Sequence, residues 1–209
     1  MSAATPVIHV VDDDASFLTA LSRLLRTTGF AVKTFGSAEE LLAGLAADAR
    51  GCVIADLRMP GASGLELQES LARAGNSIPV IFLTSAGDIP STVRAMRRGA
   101  EDFLSKEAPK EDLLDAVKRA FDRDAAKHAE RARLEALRAP FETLTPRDCE
   151  VLNHVLAGKL NKQIARELGI DERSVKRHRT SIMAKLRVES VAALTHLVHA
   201  ANWRGPINR

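Results

Sequence analysis

The sequence predicts a parallel α/β domain with helices on both faces, followed by a small all-helical domain. Three observations carry that expectation. Over the first 120 residues, short apolar runs alternate with amphipathic stretches of helical period, the rhythm of strand–helix–strand units. Between Pro109 and Pro140 there is neither glycine nor proline, which marks one long helix. Beyond Pro140 the apolar spacing is helical throughout.

Taken in order, the strand candidates are 7–11, 32–35, 52–56, 80–84 and 103–105. Helices are expected at 16–28, 38–48, 64–74, 90–98 and from 110 onward. In the first of these, Leu18, Leu21, Leu24 and Leu25 share one face. Gly29 and Gly99 fall where a left-handed residue ends a helix, and Pro79 precedes a strand. The long helix starts with Leu114, Val117 and Phe121 on one side, then continues as the charged "DRDAAKHAERARLEALRA". Its only further apolar repeat, Leu134 and Leu137, is too sparse for a coiled-coil seam, so it reads as a semi-rigid connector. Four helices follow, at 146–157, 161–168, 171–186 and 190–202. Thr145-Pro146 and Asp171 supply start signals, and Gly158 and Gly169 sit in the short turns. The expected organisation is a first domain at 1–122, a helical linker at 123–140 and a helical domain at 141–209.

Charge divides the same way. Residues 1–122 hold 13 Lys+Arg and 17 Asp+Glu, whereas residues 123–209 hold 17 and 10. The basic half points to a polyanion partner, and the acidic half does not. Cys52 and Cys149 have no metal-ligand spacing and read as core residues in a reducing compartment. With no 18-residue apolar run and no secretory h-region before the acids at 12–14, a soluble cytoplasmic protein without membrane contact is expected.

Chemistry concentrates at strand ends. The run Cys52-Val53-Ile54-Ala55 delivers the chain to Asp56, then "LRMPGASG" turns it away. Asp12-Asp13-Asp14 ends the first strand candidate, Thr84-Ser85 the fourth, and the fifth leads to Lys106. In an open parallel sheet, ligands gather outside the carboxyl ends of strands where strand order reverses. An order of 2-1-3-4-5 would bring these groups into one crevice. Crowded carboxylates there need a proton or a hard cation such as Mg2+. An acid cluster with a metal, a hydroxyl and a lysine is equipment for phosphoryl transfer to a carboxylate. Singly, each residue has a plainer reading: Asp14 or Ser16 as a helix cap, Thr84 as a β-branched strand residue, Lys106 as solvated.

The motifs "VVDDD", "ADLRMPGASG", "IFLTSAGD" and "AMRRGAEDFLSK" resemble the receiver domain of two-component response regulators across roughly residues 5–122. The resemblance implies a flavodoxin-like fold with a five-stranded sheet of order 2-1-3-4-5. It implies that Asp56 accepts a phosphoryl group from a sensor histidine kinase. Asp12, Asp13, Asp56 and the backbone carbonyl of Arg58 would hold Mg2+. Lys106 would pair with phosphoryl oxygens, and Thr84 and Phe103 would be the switch. One departure stands out: the family usually has proline after the lysine, with a cis bond, whereas this chain has Glu107. A non-proline cis bond costs about 2.5–4 kcal/mol, so a trans loop is expected.

The stretch "DERSVKRHRTSIMAKLR" carries six cations and no acid after Glu172. On a helix, Val175, Ile182 and Leu186 face one way, and Lys176, Arg177 and Thr180 another. With "LTPRDCEVL" and "AGKLNKQIARELGI" before it, residues 143–200 resemble the LuxR-type helix-turn-helix of the NarL/FixJ regulators, closest to the FixJ branch. The resemblance places 171–186 in a major groove. Lys176, Arg177 and Thr180 would face bases, and Ser174, His178 and Lys185 the DNA backbone. Arg177 replaces a commonly apolar residue. Asp148 replaces a glutamate whose salt bridge is expected at Arg179 or a neighbour. The last helix, with Val191, Leu194, Leu197 and Val198, offers a core face and a dimer surface.

The expected function is a phosphorylation-activated transcription regulator. Its partners would be the histidine kinase, double-stranded DNA, a second copy of the chain and RNA polymerase. A haloacid-dehalogenase-like phosphatase also uses a strand-end aspartate, but wants a second acid two residues later, where this chain has Arg58. A receiver serving as a phosphate sink with a protein-binding helical tail is the other alternative, and the acid-free basic helix argues against it.

Overall fold

The computed structural model describes residues 5–46, 48–85 and 89–205. It divides into two compact units, Met1–His128 and Ala129–Arg209.

The first unit alternates β1 (Val7–Val11), α1 (Ala15–Thr27), β2 (Ala31–Phe35), α2 (Ala38–Gly44), β3 (Gly51–Asp56), α3 (Gly64–Arg73), β4 (Val80–Thr84), α4 (Ile89–Arg97), β5 (Asp102–Ser105) and the start of α5 (Lys110–Arg138). The strands form one parallel sheet in the order β2-β1-β3-β4-β5. Every residue of central β3 is buried, which is why it reads as an unbroken apolar run, whereas edge strand β2 is largely exposed. Successive side chains point to opposite faces and therefore feed two cores. Val11, Val53, Ala55 and Phe82 pack on one face with α2, α3 and α4. Ile8, Val10, Ile54 and Ile81 pack on the other with α1 and α5.

Caps explain most boundaries. The Asp14 carboxylate accepts the Ser16 and Phe17 amides and starts α1. Ser63 and Glu66 form a reciprocal capping box at α3. Helix α2 ends at Gly44, short of the expected residue 48, because Leu45 turns extended and packs its side chain onto the first core. Buried Asp124 ties α5 to the root of β3: it accepts from Arg50 Nε at 2.8 Å and from the Gly51 amide at 3.2 Å. Nothing in the charged run around it sets this acid apart from its neighbours.

The second unit contains a 3-10 turn (Ala139–Thr143) and helices α6 (Pro146–Leu156), α7 (Asn161–Leu168), α8 (Glu172–Leu186) and α9 (Val191–Ala200). Thr145 and Asp148 form the capping box of α6, and Asp171 caps α8. Its core joins Phe141, Leu152, Ile164, Val175, Ile182, Leu186 and Leu194.

The turn after Asp56 depends on a glycine. Gly64 lies so close to β3 that a Cβ there would stand 2.3 Å from the Asp56 carbonyl oxygen and 2.9 Å from the Phe82 ring. Neither backbone nor packed ring yields cheaply, so Gly64→Ala is expected to destabilise the first unit by about 2 kcal/mol. Urea unfolding followed by the fluorescence of a probe on that unit checks this; an unchanged midpoint would refute the close approach.

Candidate acidic site and basic helix

The end of β1 leads to Asp12 and Asp13, the end of β3 is Asp56, and the end of β4 is Thr84. Because β1 and β3 are hydrogen-bonded neighbours, their acids meet: oxygens of Asp12, Asp13 and Asp56 all lie within 4.8 Å of one another. Asp12 and Asp56 are buried and Asp13 is exposed. The Asp56 side chain keeps 8% exposure.

Lys106 answers this crowding. Its Nζ reaches Asp12 Oδ2 at 2.5 Å and Asp56 Oδ2 at 2.9 Å, and sits 4.3 Å above the Phe17 ring. Burial works against its charge, but the hydrogen bonds to Asp12 and Asp56 prevail and hold its pKa above the ordinary lysine range. The backbone also aims it. The Lys106 amide donates to the Thr84 carbonyl at 2.9 Å, and the Ala108 amide to the Ser105 carbonyl at 3.0 Å. All peptide bonds among the described residues are trans, so the loop places Lys106 on the acids with Glu107 following it.

The remaining site residues lie around this group. Asp56 Oδ1 accepts the Arg58 amide at 3.3 Å, and the Arg58 side chain is exposed. Thr84 is buried, two residues beyond Phe82 on the same face of β4. Phe103 pairs with Phe82 across the sheet, with ring centroids 6.1 Å apart. Ala86, Gly87 and Asp88 of the "IFLTSAGD" motif lie outside the described residues. Three carboxylates and one ammonium leave two formal negative charges among these four side chains. An all-oxygen donor set with that deficit fits a hard divalent cation. Phe17 was missed in the sequence, where it looks like one more apolar residue of an amphipathic helix.

In the second unit, α8 presents Arg173, Lys176, Arg177, Thr180 and Ala184 as one continuous exposed stripe. Val175, Ile182 and Leu186 are buried opposite. Three other expected DNA-facing side chains are held internally. The Ser174 hydroxyl donates to Asp171 Oδ2 at 2.7 Å. His178 Nδ1 lies 2.8 Å from Asp148 Oδ1, and Lys185 Nζ donates to Asp148 Oδ2 at 2.7 Å. Of the partners expected for Asp148, Arg179 or a neighbour, it is the neighbours on α8 that pair with it, Lys185 by charge and His178 by a hydrogen bond, while Arg179 donates to Asn161 Oδ1 at 3.1 Å. Asp148 is 2% exposed. Burial raises its pKa, but Lys185, His178 and the Thr145 cap together hold it far below the usual carboxylate range.

The comparisons agree with both halves. Residues 8–118 match the response regulator receiver domain, and residues 142–198 match the bacterial regulatory proteins of the luxR family. The chain belongs to the response regulators. The transcriptional regulatory protein FixJ of Rhizobium meliloti strain 1021 is 40% identical over 195 residues, 93% of this chain and 94% of FixJ. Nodulation protein W of Bradyrhizobium diazoefficiens is 44% identical over 191 residues, 91% of this chain and 84% of that protein. The solved structure of response regulator StyR shares 46% identity and a TM-score of 0.80, covering 94% of this chain and 99% of StyR. A response regulator with a luxR-family domain couples receiver phosphorylation to transcription through a DNA-binding domain, and is not a classical enzyme. Among the described residues, no helix is long and apolar enough to cross a membrane.

Asp148 is the charged keystone of this response regulator's helical unit. Asp148→Asn is expected to cost about 3 kcal/mol at neutral pH, since it removes the charge partner of Lys185 and a hydrogen-bond partner of His178 at a buried site. The sign of the pH effect follows from the depressed pKa. The stabilisation is fully present above the unfolded carboxylate value of about 4 and is lost as pH falls below it toward the folded value. Urea midpoints of wild type and variant should therefore converge on acidification; a constant gap would contradict the ionic origin.

Proposed function

We propose that Asp56 is the phosphoacceptor of a receiver domain at residues 1–122. Its phosphorylation by a sensor histidine kinase would govern DNA binding by a domain at 141–209, with 123–140 as linker. The observation that carries this reading is the meeting of Asp12, Asp13, Asp56 and Lys106 at the carboxyl ends of β1, β3 and β5.

The chemistry follows from the charges. An Asp56 carboxylate oxygen attacks phosphorus as the bond from phosphorus to the kinase histidine breaks, so the phosphoryl group changes hands without another co-reactant. Lys106, already cationic and aimed at Asp56, would pass from the carboxylate to an incoming phosphoryl oxygen. Asp12, Asp13, Asp56 and the Arg58 carbonyl would hold Mg2+, which neutralises phosphoryl charge when bound. The Thr84 hydroxyl would then bond a phosphoryl oxygen. Phe103, packed near Phe82, would move with it and shift a two-state receiver.

On the output side, the stripe of Arg173, Lys176, Arg177 and Thr180 supports insertion of α8 into a major groove. Ser174, His178 and Lys185 would approach the DNA backbone. Lys185 has three N–H donors, and Asp148 takes one. A homodimer would set two such helices on symmetric half-sites, beside RNA polymerase at a promoter.

Incubation with acetyl phosphate and Mg2+ should add one phosphoryl mass to the wild type and none to Asp56→Asn. Chelation should abolish the gain. Uptake undiminished in Asp56→Asn would overturn the assignment. Footprinting on genomic fragments should show tighter protection after phosphorylation. Arg177→Ala should weaken specific duplex binding by about 1–3 kcal/mol and relax base preference, whereas Lys176→Ala tests the adjacent position; binding unaffected by either change would remove α8 from the groove.

A further inference from the structure

A second concave site lies at the opposite end of the sheet from Asp56. The cleft, about 310 Å³, is bounded by the end of α3, the loop into β4, the end of α4 and one side of α5. Val80, which opens β4, lines it, and Thr84 closes the same strand at the acidic site. Four steps along the strand separate the two, about 13 Å.

Two features of the lining point to a ligand. The first is charge: Arg98, Arg123 and Lys127 all line the cleft, and among the described residues no carboxylate does. Lys127 donates to the Ser77 carbonyl at 3.0 Å; burial and the neighbouring Arg123 push its pKa below the ordinary lysine value. Arg98 and Arg123 are paired from outside the cleft by Glu69 and Glu101. The second is an orphaned acceptor. Gln68 is 93% buried in this wall, its side-chain nitrogen turned to the Ala95 and Arg98 carbonyls at 3.4 Å each. Those two carbonyls fix the orientation of the amide, since the flipped form would set oxygen against oxygen. Gln68 Oε1 is then a buried acceptor without a hydrogen-bond partner among the described residues, a state that costs about 1–3 kcal/mol unless a donor arrives. Leu71, Ile78, Pro79 and Val80 supply the apolar remainder.

We propose that this cleft binds a small organic anion of nucleotide size, a phosphate or carboxylate that also carries an N–H or O–H donor. The anion would lie among Arg123, Lys127 and Arg98, and the apolar body would cover Ile78 and Val80. The donor group would reach Gln68 Oε1 once the Gln68 side chain, whose oxygen is closed to solvent in this structure, shifts toward the ligand. Volume and charge match the usual make-up of small-molecule sites. Since Gln68 also holds the last turn of α4 through Ala95 and Arg98, occupancy acts directly on the packing of α3 against α4. None of this depends on phosphorylation of Asp56.

The test is titration of the isotope-labelled full chain with AMP, adenosine and inorganic phosphate, each to millimolar concentration, followed by amide and side-chain NMR. AMP has the charge, the donor and the apolar body; adenosine lacks the charge and phosphate lacks the rest. AMP should give saturable shifts at the Gln68 side-chain amide, Gly99 and Lys127, with adenosine and phosphate at least about tenfold weaker. Lys127→Ala and Gln68→Leu should each weaken AMP about tenfold, and Lys118→Ala, on the exposed side of α5, should leave it unchanged. Retained phosphoryl uptake from acetyl phosphate shows that each variant is folded. No saturable shift from AMP, or an affinity indifferent to Lys127→Ala and Gln68→Leu in folded protein, overturns the proposal.

Discussion

The first unit depends on one cation shared between two buried acids. Asp12 and Asp56 end neighbouring strands, and parallel pairing of β1 with β3 leaves no freedom to keep their carboxylates apart. Without Lys106, like charges at that separation would oppose the sheet that brings them together. The cation itself is set by backbone geometry, because the Thr84 carbonyl receives the Lys106 amide. The β4–β5 pairing that carries Thr84 and Phe103 therefore also sets the position of the charge. Any event that draws Lys106 off the acids, such as a new anion on Asp56, acts at once on the strand end where Thr84 lies.

The helical unit solves a similar problem with different parts. Asp148 is a helix-cap acid taken out of solvent, and two side chains from α8 compensate it. One buried carboxylate thus starts α6 and also holds α8 against it. The helix that carries the exposed stripe is held on one edge by Asp148 and on its underside by Val175, Ile182 and Leu186. Anchoring of this kind lowers the entropy lost when side chains meet a partner surface.

Periodicity made most of the fold legible. Alternating apolar runs located all five strands, and capping residues such as Thr145, Asp171 and Gly169 located the helices of the second unit within a few residues. Leu45 was misread because helical spacing extends past Gly44, whereas its side chain is wanted by a core that exists only once the sheet is assembled. The acidic site was legible because its members all stand at strand ends, which topology alone brings together. Asp124 was not, since an acid within a charged helical run carries no local mark of burial.

The order of the sheet came only with the resemblance to receiver domains; the amino-acid sequence by itself determined the class of each domain and the acids, hydroxyl and lysine at the strand ends. These follow from spacing and residue type, which are local properties. Tertiary structure alone decided who pairs with whom: Lys106 with both Asp12 and Asp56, and Asp148 with His178 and Lys185 while Arg179 turns to Asn161. Electrostatic partners are chosen by ångström-scale distance and by burial, and neither exists until chain segments remote in sequence have packed.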